Sequence, residues 1–151
     1  MLATTDHPRM QRTGTTLVEL ALVIVILGIL AAIAVPRITL IADEAAVRHQ
    51  AHRLVGALDA ARGAGIRLDT PAGLTISTAR LNVAADVGGI PTSVWDAPGP
   101  ADEGVSVSGA GAPIMFGPAG IAVGASNRTI VLSRGAATRR VVISRLGRIT
   151  Y

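Results

Sequence analysis

The sequence of 151 residues contains no cysteine and no lysine. It contains only one Trp, one Phe and one Tyr: Trp95, Phe116 and Tyr151. Without cysteine, disulfides, thiolate catalysis and cysteine-ligated zinc are excluded, while the redox compartment stays open. With so few aromatic side chains, the core has to be built from Val, Ile, Leu and Ala. That composition suits β-branched strands.

Catalytic motifs are missing as well. The sequence has neither GxSxG nor HExxH, and its glycine-rich residues 109–124 match neither a P-loop nor a dinucleotide fingerprint. His49 and His52 share a helix face, but they lack a third ligand nearby, so we read them as solvated helix positions. We therefore expect a protein that is not an enzyme and that binds no cofactor and no metal.

The positive charge comes from arginine alone and gives a net charge of +4. The last 24 residues contain six arginines and no acidic residue: Arg128, Arg134, Arg139, Arg140, Arg145 and Arg148. Such a cluster either forms a surface for nucleic acid or anionic lipid, or reflects only a compositional bias toward arginine.

An apolar run dominates the N-terminal region. Residues 20–35 carry no charged or strongly polar side chain, and the run extends back to Thr15 with Glu19 as its one charged residue. A helix needs about 20 residues to cross about 30 Å of hydrocarbon, so this segment is long enough to span a bilayer. Arg9 and Arg12 precede it and should hold the N-terminus in the cytoplasm, with the C-terminal domain outside.

Glu19 needs an explanation, because a carboxylate in an apolar helix costs up to about 3 kcal/mol at the bilayer centre. Its place near the helix N-terminus recovers only about 0.3 to 1 kcal/mol from the helix dipole. A positive partner is therefore needed. A free α-amino group at a new N-terminus four residues upstream, at Thr15, would supply it.

The residues around this point resemble the type IV prepilin signature: Gly14-Thr15-Thr16-Leu17-Val18-Glu19, followed by an apolar run to Pro36. The resemblance implies that a prepilin peptidase cuts after Gly14 and that the new N-terminus, Thr15, is methylated. It implies that Glu19 neutralises the N-terminus of a neighbouring subunit during assembly, and that Pro36 kinks the helix. Thr15 departs from the family, in which the first mature residue is usually Phe or Met.

Two other interpretations of the apolar run stay open. A secretory signal peptide could end at Ala32-Ile33-Ala34, which would release a periplasmic domain that begins at Val35. Alternatively, the run is a plain membrane anchor, and Glu19 extends to the interface.

Beyond Pro36 the sequence predicts that the helix continues through residues 37–65. Its apolar positions recur at spacings of four and three: Val47, Ala51, Leu54, Leu58 and Ala61. Glu44 and Arg48 are spaced for an ion pair on its surface. We expect Gly63 and Gly65 to end the helix, with a turn at Thr70-Pro71.

Residues 66–151 predict a β-rich domain. Alternating or β-branched segments indicate strands at residues 74–77, 105–108, 114–116, 121–123, 129–133 and 139–144, with a last strand at Ile149 and Tyr151. Glycine-containing turns are expected at residues 134–138 and at Leu146-Gly147. Residues 82–104, rich in Gly and Pro, are expected to form a surface loop. The fold class is therefore α+β, a long helix packed on an antiparallel β-sheet or sandwich.

Two segments of the C-terminal half resemble the GspH/FimT branch of the pilin superfamily: residues 58–66, and residues 116–120 with 142–149. The implied domains are a leader (1–14), a transmembrane or filament-core helix (15–36), an amphipathic continuation (37–65) and a periplasmic or extracellular domain (66–151). The implied role is a minor pilin or pseudopilin of the bacterial inner membrane and then of a type IV pilus or a type II secretion pseudopilus. Its partners would be other pilin subunits, the prepilin peptidase and the assembly platform.

An alternative function is DNA capture, because some FimT-like subunits bind DNA through a basic C-terminal region. The candidate residues here are Arg128, Arg139, Arg145 and Arg148. The Gly-Arg-x-Arg ending of such DNA binders is absent, since Gly147-Arg148-Ile149 is followed by Thr150. Aromatic side chains for base stacking are scarce, so binding would be electrostatic and salt-dependent.

Overall fold

The structure, a computed structural model, describes residues 16–124 and 127–151. Its contacts divide the chain into one unit that ends at Arg37 and a second unit, Ile38–Tyr151. Helix α1 (Leu17–Leu68) belongs to both units, and its backbone stays helical through Pro36. The kink at Pro36 stays a prediction.

In the described residues, nine β-strands follow α1: β1 (Ala72–Ile76), β2 (Arg80–Val87), β3 (Ile90–Pro98), β4 (Ser106–Ser108), β5 (Ile114–Phe116), β6 (Ala122–Val123), β7 (Arg128–Arg134), β8 (Ala137–Ile143) and β9 (Ile149–Thr150). A short 3₁₀ helix, Pro100–Glu103, precedes β4. One sheet has the order β3-β2-β1-β5-β6 and the other the order β4-β7-β8-β9, and the paired strands in both are antiparallel. The α+β class with a long helix on antiparallel sheets is confirmed.

The predicted apolar stripe of α1 is confirmed as the helix side of the core. Its five predicted positions are all buried: Val47, Ala51, Leu54, Leu58 and Ala61. They join one cluster with side chains of both sheets, including Leu74 of β1, Phe116 of β5 and Leu132 of β7. Every described core residue lies between positions 46 and 149. The segment Ile38–Tyr151 therefore contains a complete core, and we expect it to fold by itself.

The stripe also contains one polar residue. Gln50 is 1% exposed, and neither its Oε1 nor its Nε2 atom has a hydrogen-bond partner among the described residues. A buried amide without partners costs about 1–3 kcal/mol. Gln50 is therefore a weak point in the packing of the helix on the sheets.

The end predicted for the helix was wrong. Gly63 and Gly65 both lie within α1, which continues to Leu68. Asp69 adopts a left-handed φ of 51°, and the Thr70 amide donates to the Gly65 carbonyl at 3.3 Å, as in a Schellman motif. Gly65 is needed for a different reason: a Cβ atom there would lie 3.0 Å from the carbonyl oxygens of Phe116 and Gly117. The glycine lets the helix approach the end of β5 closely.

The surface loop predicted for residues 82–104 was also wrong, because most of it forms β2 and β3. Buried and exposed residues alternate along β2, where Leu81, Val83 and Ala85 face the core. A two-residue turn joins the strands at Gly88 and Gly89, whose φ angles of 65° and 88° suit a type I′ hairpin. Trp95 of β3 packs against the core. The hairpin predicted at residues 134–138 is confirmed, with Arg134 paired to Ala137.

Two glycines of α1 give a matched test of close packing. Gly65→Ala should lower the free energy of unfolding by about 1–3 kcal/mol, because the new methyl group meets backbone atoms of β5 and of the residue after it. Gly56→Ala should instead raise it by about 0.5–1 kcal/mol, since nothing lies within 4 Å of a Cβ atom there and alanine favours the helix. Urea denaturation of residues 38–151 measures both. Equal effects of the two substitutions would contradict the packing described for Gly65.

Candidate functional sites on the helix and the C-terminal strands

The first turn of α1 is capped by Thr16. The Thr16 hydroxyl accepts a hydrogen bond from the Glu19 amide at 3.3 Å, and the Thr16 carbonyl accepts one from the Leu20 amide at 3.1 Å. Threonine at the N-cap followed three residues later by glutamate is the capping-box pattern. This role of Thr16 was not predicted above, although the Thr-x-x-Glu spacing signals it. Glu19 thus lies in the first turn, where the helix dipole favours a carboxylate.

The helix that follows presents its apolar side chains outward. From Leu17 to Val35 its large apolar residues are exposed, Leu17 most of all at 84%. This helix is long enough and apolar enough to cross a membrane. Within the described part of the chain no core covers these side chains. They need lipid or the helices of other molecules around them. Gly14 and Thr15, the predicted cleavage and methylation residues, lie outside the described residues.

Of the four arginines considered for DNA binding, Arg128 is engaged by its own chain. It stands at the start of β7, half-buried, and its guanidinium donates to the carbonyl of Ala110 at 2.9 Å and to that of Ala112. Both acceptors belong to the connection between β4 and β5. Arg128 therefore holds this connection in place, which leaves less of its guanidinium for an external phosphate.

Arg139 is also paired. On β8 it shares the strand face of the buried residues Val141 and Ile143, and its guanidinium lies 3.3 Å from the Glu44 carboxylate of α1. Arg134 of β7 makes the equivalent contact, 3.0 Å from the Asp43 carboxylate. We name these two pairs, Asp43–Arg134 and Glu44–Arg139, the helix–hairpin ion pairs. They join the part of α1 just beyond Ile38 to the β7–β8 hairpin.

Glu44 has a second partner on its own helix. The predicted ion pair with Arg48 is present at 2.8 Å. The hydrogen bond and charge of Arg48, together with the charge of Arg139, lower the pKa of the Glu44 carboxyl below its ordinary value of 4.5. The carboxylate form is therefore the one that the folded chain favours.

Arg145 and Arg148 differ from the other two candidates. Both are exposed on the turn between β8 and β9, and neither side chain makes an ion pair or a hydrogen bond within the described residues. Arg145 and Arg148 thus lie on one turn, without ion-pair partners among the described residues. The structure does not assemble all four arginines into one unpaired surface.

The two histidines of α1 contact residues outside the helix. The His49 Nδ1 atom lies 2.6 Å from the Glu103 carboxylate, and the His52 ring meets the Tyr151 ring edge to face at 5.1 Å. Within residues 16–124 and 127–151, no three side chains of the metal-ligating types come together. His49 and His52 therefore join α1 to the 3₁₀ helix and to the chain end.

The pKa of Glu44 leads to a pH-dependent prediction. A carboxyl group whose pKa is lowered on folding stabilises the fold above its unfolded pKa, and the effect is lost as the pH falls through the folded pKa. Glu44→Gln in residues 38–151 should therefore reduce stability at pH 7, and the difference from the unsubstituted fragment should vanish below the lowered pKa, under pH 4.5. Urea denaturation at pH 7 and pH 3 measures it.

Asp59→Asn is the matched control for Glu44→Gln. Asp59 is exposed on the same helix, and it forms no ion pair within the described residues. We expect its replacement to change stability little at either pH. A Glu44→Gln effect of the same size at pH 3 and pH 7 would show that the ion pairs of Glu44 are not its cause.

Comparisons with known proteins agree with this architecture. The model of the family described as type II transport protein GspH matches residues 50–147. The fold is similar to two crystal structures of the type IV minor pilin FimU from Pseudomonas aeruginosa strain PAO1, each with 18% sequence identity. The TM-scores are 0.56 and 0.57, and the matches cover 68% and 69% of this chain and 90% and 86% of the FimU chains.

No curated protein matches the sequence significantly. At 18% identity the likeness to FimU shows the fold alone. The family match is broader evidence, because it covers well over half of the chain, from the buried stripe of α1 to the turn before β9. The chain therefore belongs to the GspH family.

Proposed function

We propose that this chain is a minor pilin or pseudopilin, a structural subunit without catalytic activity. It is cut after Gly14, waits in the inner membrane with residues 38–151 outside the cytoplasm, and enters a type IV pilus or a type II secretion pseudopilus. The observation that carries the proposal is the combination of GspH-family membership with a helix whose apolar side chains are uncovered within the described chain.

The residues of the helix start support this assignment. After this cut the new amino group belongs to Thr15, which is adjacent to the Thr16 cap in the sequence and four residues before Glu19. In an apolar filament core, each charge would need the other, since an unpaired buried charge is costly. Prepilin peptidase, other pilin subunits and the inner-membrane assembly platform are the partners that this function requires.

DNA capture receives less support. Arg128 donates to backbone carbonyls, and Arg139 forms an ion pair with Glu44. Two exposed arginines, Arg145 and Arg148, remain of the four candidates. Neutralising fewer phosphates gives weaker and less salt-dependent binding.

Cleavage by a signal peptidase after Ala34 is the other alternative. It would remove most of the uncovered apolar helix and release a soluble domain, and the first residue of the mature chain distinguishes it from the filament function.

The mature N-terminus tests the proposal directly. Mass spectrometry of the protein from its native membrane should find a chain that begins at Thr15, with or without a methyl group. Replacement of Gly14 by Val should leave the leader attached. A chain that begins at Val35 would overturn the filament function and leave a secreted domain.

The role of Glu19 gives a second test. Glu19→Gln removes the charge but should leave cleavage intact, whereas incorporation into filaments should fall more than about tenfold, because breaking a buried ion pair costs about 3–5 kcal/mol. Quantitative immunoblotting of sheared or purified filaments measures incorporation. Thr16→Ala is the control: it removes the helix cap, worth about 1 kcal/mol, and keeps the charge. Equal losses for both variants would assign Glu19 a capping role alone.

A further inference from the structure

The turn between β8 and β9 presents an aliphatic side chain between two exposed arginines. Leu146 is 75% exposed, and Arg145 and Arg148 flank it. The turn itself is well ordered by hydrogen bonds: the Gly147 amide donates to the Ser144 carbonyl at 3.0 Å, and the Ser144 amide to the Arg148 carbonyl at 2.9 Å. Its backbone therefore holds Leu146 outward, although burial of a leucine side chain is normally favourable.

Other apolar side chains extend this exposed surface. Leu146 lines one cleft with Arg62 and Arg148 and an adjoining one with Ile121 and Arg145. The Gly120 loop continues it to the end of α1, since a Cβ atom at Gly120 would meet Ile66 at 3.0 Å and Arg62 at 3.1 Å. Ile66 and Ile121 are 53% and 47% exposed. We name this surface the arginine-rimmed patch: Arg62, Ile66, Ile121, Arg145, Leu146 and Arg148.

Among residues 16–124 and 127–151, the arginines of the patch form no salt bridge. Five other arginines of the globular unit lie within 4 Å of a carboxylate: Arg48, Arg53, Arg80, Arg134 and Arg139. Within the described residues none of the three patch arginines does, although the Asp59 side chain lines the same cleft as Arg62 and Arg148. The two clefts are thus lined by one carboxylate and three guanidinium groups, which leaves the patch positive. A partner that covers it has to bring carboxylates, because buried charges need partners.

We propose that the arginine-rimmed patch binds an acidic segment of a neighbouring filament subunit, in which at least two carboxylates flank an aliphatic side chain. The apolar centre and arginine rim match the anatomy of protein–protein interfaces. They fit nucleic acid less well, because single-strand binding relies on aromatic stacking and protein–DNA interfaces are strongly polar. This inference rests on the proposed function.

The position of the patch along the helix favours a subunit contact. Arg62 and Ile66 lie about 40 Å along the axis of α1 from Ile38, where the globular unit begins. Within the globular unit, the patch therefore lies far along α1 from the point where the unit begins. It stays available to a second contact while the N-terminal helix makes the first.

In-cell photocrosslinking tests the patch in the full-length chain. The photoreactive residue p-benzoylphenylalanine replaces Leu146 in the native host, and crosslinked peptides are identified by mass spectrometry. We expect attachment to another filament subunit, at a segment with two or more Asp or Glu residues. Arg145→Glu with Arg148→Glu should lower the yield more than about tenfold, since like charges across an interface repel each other. Arg145→Lys with Arg148→Lys should retain most of it.

Arg140→Glu is the matched control. Arg140 is exposed on β8, outside the patch, and makes no ion pair within the described residues, so its reversal should leave the crosslink unchanged. Crosslinks to DNA or lipid, a yield indifferent to charge reversal at 145 and 148, or no crosslink from a chain present in filaments would each overturn the inference. The same cells report the mature N-terminus and filament content, and a chain not cut after Gly14 would mark failure of the proposed function instead.

Discussion

The burial of one stripe of α1 against both sheets is the interaction on which the globular unit depends. Four alanines of this stripe, Ala51, Ala57, Ala61 and Ala64, are at most 1% exposed, and their small side chains allow the helix to lie close to the strands. Gly65 extends the close approach to the end of β5. In the described part of the chain, buried residues of both sheets belong to one cluster around the helix. With few aromatic residues, the cluster relies on complementary aliphatic surfaces. Substitutions that change the volume of a core side chain even slightly should therefore lower the stability of the fold.

Local patterns predicted much of this fold, and the errors have identifiable causes. The stripe of α1 and the β7–β8 hairpin follow from periodicity and from turn residues, which are local properties. The hairpin of β2 and β3 was missed because its region is rich in glycine and proline, although Gly88-Gly89 between two strands is itself a hairpin signal. The helix end was misplaced because Gly65 serves packing against residues about 50 positions later, which no local pattern reveals.

The functional residues divide in the same way. The motif from Gly14 to Glu19 could be recognised in the sequence because its residues are neighbours along the chain. The Thr16 cap could have been predicted in the same way, since it depends on Thr16 and Glu19 alone. The arginines are different, because tertiary contacts decide which of them remain free. Arg139 meets a carboxylate 95 positions earlier, and Arg128 meets backbone carbonyls with no sequence signature. Counting arginines in the sequence therefore overestimated the unpaired basic surface. The exposure of Leu146, which adds an apolar side chain to this surface, also has no signal in the sequence.

The helix–hairpin ion pairs also have a mechanical meaning. Asp43 and Glu44 come within two turns of Ile38, and they join α1 to the hairpin through Arg134 and Arg139. A pull on α1 from the Ile38 end would load these pairs in shear, before the force reached the centre of the core at Leu54 and Leu58. Ion pairs exchange partners readily in water and can re-form after slipping. The unit would then yield first at its edge, by a reversible sliding of charged groups, while its aliphatic centre stayed closed.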